Sequence, residues 1–184
     1  MLPVQLLPQI EWIRPRRCAA DWLVIQARDL LGVAREASGY GEVIRELYGR
    51  LIIPAAVYAE LLHPKTPRAV STWAGELPAW VEVRVPQDAT QFPDLGPGER
   101  QAIALALEVN ADFLLIDETQ GRAVSVAAGV RVKGTLGVLE EAAARRLLEL
   151  PVAIEKLRAS GIFLADHVIE QVLARHRDAG RQPT

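Results

Sequence analysis

Four acids, Asp29, Glu60, Glu99 and Asp117, border apolar runs rather than polar stretches of the chain. Asp117 ends the run DFLLID, Glu99 opens GERQAIALA, Glu60 lies within VYAELL, and Asp29 follows WLVIQA. Glu99 and Ile103 are four residues apart and share one face of a helix, so a buried Ile103 turns Glu99 toward the sheet edge. The same reasoning sets Glu60 beside Val57 and Leu61. Acids next to core-facing positions are unusual unless they are paired or hold a cation.

Carboxylate oxygens are hard donors suited to Mg²⁺ or Mn²⁺. Gathered in one place they repel one another unless a cation neutralises them. A divalent cation so held lowers the pKa of a water and stabilises in-line phosphoryl transfer, chemistry that cuts phosphodiesters. Each acid alone has an ordinary explanation. Glu99 complements a helix dipole, Glu60 is an exposed helix acid, and Asp117 caps the turn that follows it. Only their joint placement at the edges of one sheet points to a shared site.

Other chemistries find little support. His63, His167 and His176 are scattered without zinc spacing. There is a single cysteine, Cys18, so no internal disulfide is expected and a reducing cytoplasm is the natural setting. No P-loop, GxSxG or GxGxxG pattern occurs. A receiver or phosphatase on a similar fold is disfavoured because the VKGT order around Lys133 does not suit it. The formal net charge of -2 provides no global basic field for nucleic acid. Phosphate contacts would have to be local, and Arg14, Arg16, Arg17, Arg175, Arg177 and Arg181 read first as solvated termini.

The elements that must carry these acids alternate. Half of the 184 residues are hydrophobic and few are aromatic, which suits a helix-rich α/β domain. RLIIP, WVEVRV, DFLLID and RVKG read as strands. WLVIQA is too short for periodicity to separate strand from helix. DLLGVAREAS, GEVIRELYG, PAAVYAELLH with Pro54 in its first turn, TPRAVSTWAG, LGPGERQAIALALEV, RAVSVAAGV and three C-terminal segments read as helices. Strands alternating with helices predict a parallel sheet covered on both faces, with ligands at the carboxyl ends of its strands. Residues 1–20 read as an irregular extension, 21–176 as one domain and 177–184 as a frayed tail. No apolar stretch approaches the ~20 residues of a membrane span, and the N-terminus makes a poor signal peptide.

Three blocks, LYGRLIIPAAVYAELL, LGPGERQAIALALEVNADFLLIDETQGR and RVKGTLGVL, together resemble PIN-domain proteins, most of all the VapC-like prokaryotic subgroup. The resemblance covers roughly residues 29 to 175. It implies a PIN-like, Rossmann-like three-layer α/β/α fold around a mostly parallel sheet. It also implies a toxin-type endoribonuclease dependent on Mg²⁺ or Mn²⁺, acting on RNA, silenced by a small antitoxin protein and commonly homodimeric. Residue by residue, Glu60, Glu99 and Asp117 match the family's metal-binding and catalytic acids. Arg122 matches the arginine after the strand-end loop, where it would meet phosphate or pair with a neighbouring acid. Thr135 falls in the GTLGVL segment, near substrate.

The N-terminus departs from the pattern. The family's first acid stands in an Asp-Thr/Ser-Ser-Pro motif that this chain lacks, leaving Asp29 as the best match and Asp21 as the alternative. A catalytically degenerate PIN fold that binds RNA or protein is therefore the competing reading.

Overall fold

Leu23 and Ile25 pack on one side of the central sheet while Val24, between them, packs on the other. Leu51, Ile53 and Leu115 repeat the first side, and Ile52, Leu114 and Ile116 the second. All are fully buried, so these strands have no polar face. That is why WLVIQA carries no alternating signal although Trp22–Ile25 is a strand. The chain is seen as a computed structural model that describes residues 22–25, 40–159 and 165–179.

Among the described residues the strands are β1 (Trp22–Ile25), β2 (Arg50–Pro54), β3 (Val81–Arg84), β4 (Phe113–Leu115) and β5 (Val132–Lys133). They pair in the order β3-β2-β1-β4-β5, every pair parallel. The helices are α1 (Tyr40–Tyr48), α2 (Ala55–Leu61), α3 (Arg68–Gly75), α4 (Pro97–Glu108), α5 (Thr119–Ala127), α6 (Thr135–Ala144), α7 (Leu150–Ala159) and α8 (Asp166–Ala179). Residues from α1, α2, α3, α6, α7 and α8 form the core on the Leu23 side. On the Val24 side the buried helical residues come from α4 (Ala102, Ile103, Leu105 and Ala106), with Val124 of α5 packed against them. The result is a three-layer α/β/α sandwich.

Chain direction across the sheet reverses once. From β1 the chain steps outward through β2 to β3, then returns to the other side of β1 as β4 and continues to β5. The carboxyl ends of β1 and β4 flank this switch point, the usual ligand crevice of open parallel sheets. Ile116 and Asp117 leave the sheet there.

Two local details differ from the sequence reading. Pro54 is not the first helical residue but the last of β2 and the N-cap of α2, with ψ 142°. Its extended ψ keeps it in register with Arg84 of β3, so β2 passes into α2 without a loop. Helix α8 also runs on to Ala179. At the end of α1, Gly49 has φ 67°, where a side chain would be strained, and its amide donates to the Arg45 carbonyl at 2.7 Å.

The apolar residues of VIRELYG and VIEQVLARH enter the core: Ile44, Leu47, Ile169 and Val172 are all buried. The segment DLLGVAREAS lies outside the described residues, as do Asp21 and Asp29. Among the described residues no helix is long and apolar enough to cross a membrane.

Candidate functional site

Asp117 follows β4 at its carboxyl end and turns back onto the start of α6. Its Oδ1 accepts the Thr135 amide at 2.9 Å and its Oδ2 accepts the Thr135 hydroxyl at 2.5 Å. The carboxylate therefore caps α6, where free amides and the positive end of the helix dipole favour an anion. It does not cap the turn that follows it. Thr135 is 2 % exposed, so its hydroxyl serves Asp117 rather than standing open beside a substrate. Asp117 itself is exposed, and each of its oxygens keeps a lone pair beyond the one Thr135 uses.

Glu99 is in the first turn of α4, three residues after the N-cap Gly96. Its Oε2 accepts the Gly96 amide at 3.0 Å, one half of a capping box. Its Oε1 is buried and has no hydrogen-bond partner among the described residues. That atom lies hard against the first turn of α5. A Cβ built on Gly121 would sit 2.5 Å from Glu99 Oε1 and 2.5 Å from Ile116 Cδ1. Only glycine permits that approach. Ser125 secures the same turn by donating to the Gly121 carbonyl at 2.6 Å.

Glu60 is in the last turn of α2, and its carboxylate reaches the start of α4. A Cβ on Gly98 would meet Glu60 Oε1 at 3.2 Å and Val57 Cγ2 at 3.1 Å. The loop after α2 is tied to the same residue, with Thr66 Oγ1 donating to the Glu60 carbonyl at 2.7 Å. Arg122 completes the edge. Its Nη1 donates to the Ile116 carbonyl at 2.8 Å, a bond to backbone rather than to Glu118. A Cβ on Gly134 would lie 2.9 Å from Asp117 Oδ1 and 3.3 Å from Arg122 Nη1, so both side chains converge on the N-cap of α6.

The acids thus follow one another along the carboxyl edge of the sheet. Glu60 touches Gly98, Glu99 touches Gly121, and Arg122 and Asp117 meet at Gly134. They do not gather into one ring. Among the described residues no three His, Cys, Asp or Glu side chains form a group that could hold a metal ion. For a hard divalent cation the donor set fits in chemistry: every candidate is a carboxylate oxygen, and Glu99 Oε1 is a buried acceptor without a donor. In number the described acids fall short, and Asp29 lies outside the described residues.

Sequence reasoning missed the supports. Gly98, Gly121, Gly134 and Ser125 carry no charge signal. The only available hint was that three glycines stand within a few residues of the acids and the arginine.

A family model for the PIN domain matches residues 36–178. No curated protein matches the chain. PIN domains are generally nucleases, typically use divalent metal ions, and suggest nucleic-acid binding. The match takes in β2 to β5 and every helix from α1 to α7, well over half of the sequence, and the parallel sheet flanked by helices is consistent with it: the chain belongs to the PIN-domain family.

Proposed function

We propose that this chain is a metal-dependent endoribonuclease of the toxin type, hydrolysing RNA phosphodiesters. The observation that carries the reading is the pair at the switch point: Asp117 fixed through both oxygens by Thr135, and Glu99 with a buried, unpartnered Oε1. Asp117, Glu99 and Glu60, together with Asp29 as the family resemblance implies, are the residues that would hold Mg²⁺ or Mn²⁺. Such a cation, once bound, supplies a more acidic water and charge stabilisation for phosphoryl transfer.

The remaining roles belong to the chain itself. Thr135 keeps the Asp117 carboxylate in one orientation. Gly121 lets Glu99 close against α5 without a clash. Arg122, oriented by the Ile116 carbonyl, offers the rest of its guanidinium fork to a phosphate oxygen. A small antitoxin protein and a homodimer belong to the same reading.

A second reading has its own support. The absence of a three-acid group among the described residues, together with the lack of the Asp-Thr/Ser-Ser-Pro motif, favours a fold that binds RNA or protein without cutting. Calorimetric titration with Mn²⁺ of wild type and Asp117→Asn separates the two. Binding in wild type that the variant loses, followed by Mn²⁺-dependent cleavage of RNA, supports the nuclease. No Mn²⁺ binding and no cleavage by wild type overturns it in favour of the binding module.

A further inference from the structure

Helix α2 leaves β2 directly, and its N-cap, Pro54, makes no side-chain capping bond. The first amides of any helix lack partners within it. One of these is satisfied from a distant element: the Ala56 amide donates to Gln101 Oε1 at 2.9 Å, a side chain 45 residues further along, on α4. Ala56 and Glu60 are four residues apart, one turn, and lie on the same face of α2. The Glu60 end of that face also meets α4, through Gly98. Gly98 and Gln101 are three residues apart and share a face of α4.

Two contacts one turn apart therefore join the helices. Val57 and Leu61 already seat α2 in the core. The Gln101 bond adds a directional polar contact that sets the register of α2 on α4 and, one turn on, where the Glu60 carboxylate falls. Glu99 lies between Gly98 and Gln101 in sequence, so the turn of α4 that clamps α2 also carries the second acid.

We propose that Gln101 is a positioning residue: its side-chain carbonyl, by capping α2, sets Glu60 against the start of α4 beside Glu99 for joint cation binding. The functional half of this inference rests on the proposed metal site. The clamp rests on geometry alone.

The test uses three full-length proteins: wild type, Gln101→Leu, which loses the acceptor at similar volume, and Gln101→Glu, which keeps an acceptor oxygen. In metal-free protein, NMR follows the Ala56 amide shift and the cross-relaxation between the Glu60 side chain and Gly98 Hα. Calorimetry then follows Mn²⁺ binding. Gln101→Leu is expected to lose the Glu60–Gly98 signal and to bind Mn²⁺ about tenfold more weakly, as supports of metal ligands typically do. Gln101→Glu is expected to keep the Glu60–Gly98 signal.

Retention of the Glu60–Gly98 signal in Gln101→Leu overturns the clamp. Its loss with unchanged Mn²⁺ affinity overturns the positioning role. If no protein, wild type included, binds Mn²⁺ while Gln101→Leu loses the signal, the metal reading fails and the clamp stands. Gln101→Asn, one methylene too short to reach Ala56, takes the place of Gln101→Leu if that variant does not fold.

Discussion

Thr135 holds both carboxylate oxygens of Asp117, one with its amide and one with its hydroxyl. The two residues are 18 apart in sequence and belong to different elements, the end of β4 and the start of α6. Thr135→Val keeps the shape and the amide bond but removes the hydroxyl. A hydrogen bond to a charged group contributes about 1.5–3 kcal/mol. Because Asp117 is exposed, water will replace part of it, and a loss of about 1–2 kcal/mol in urea unfolding is expected. Stability unchanged in Thr135→Val would refute the importance of this bond.

Gly121, in the first turn of α5, lets Glu99 lie against that helix, and Gly75 offers the matching control. A Cβ on Gly121 would fall 2.5 Å from two atoms, whereas one on Gly75 would meet nothing within 4 Å. Gly121→Ala is expected to cost about 1–3 kcal/mol through overpacking. Gly75→Ala, at the end of α3, is expected to be neutral or to stabilise by up to about 1 kcal/mol through helix propensity. Equal effects of the two substitutions in thermal melts would contradict the close approach.

A polar network lies where α1, β5 and α6 meet. Glu141 accepts from Tyr48 OH at 2.8 Å, from Arg145 Nη2 at 2.7 Å, and from Lys133 Nζ. Lys133 also lies 4.2 Å above the centre of the Phe113 ring. Burial by itself would raise the Glu141 carboxyl, but the hydrogen bonds from Lys133 and Tyr48 and the charges of Lys133 and Arg145 outweigh it and hold the group below its ordinary 4.5. A carboxyl lowered in the folded state stabilises the fold above its ordinary value, and that contribution is lost as pH falls through the folded value. Wild type should therefore lose more stability than Glu141→Gln when denaturant midpoints are compared from pH 6 to pH 3. Parallel curves would rule the network out as an acid-labile element.

Tyr48 makes the opposite prediction from the same network. Burial first, then its hydrogen bond to Glu141, raises the phenol far above its ordinary 10.0. A raised group contributes stability that is fully present below the ordinary value and is lost as pH rises beyond it. Unfolding midpoints of wild type should decline above pH 10 more steeply than those of Tyr48→Phe. A Tyr48→Phe curve that falls as steeply as wild type would contradict this.

Arg122 is oriented by backbone rather than by an acid, so its charge is available to a ligand. On the proposed reading, Arg122→Gln should weaken binding of single-stranded RNA and lower the slope of log K against log salt by about 0.7, the value of one released counterion. Fluorescence anisotropy from low to moderate salt measures it. An unchanged slope would remove Arg122 from the RNA contact.

By itself the sequence determined which segments build the layers. Runs such as LIIP and FLLI are apolar on every position because both faces of a parallel strand are covered, and Pro97-Gly98 marks the start of α4 before Ile103 and its neighbours enter the core. It also placed Asp117 at the end of an apolar strand run, Glu99 at the start of an apolar helix and Glu60 inside VYAELL.

What it could not encode locally is which ends meet. Asp117 finds Thr135, Glu99 lies against Gly121, and Gln101 reaches back 45 residues to Ala56, because the crossovers return β4 to the far side of β1 and lay α4 beside α2. Periodicity reports only the environment of a residue within its own element. The contacts between glycines, amides and acids arise from how closely separate helix ends approach, and only the packed tertiary structure decides that distance.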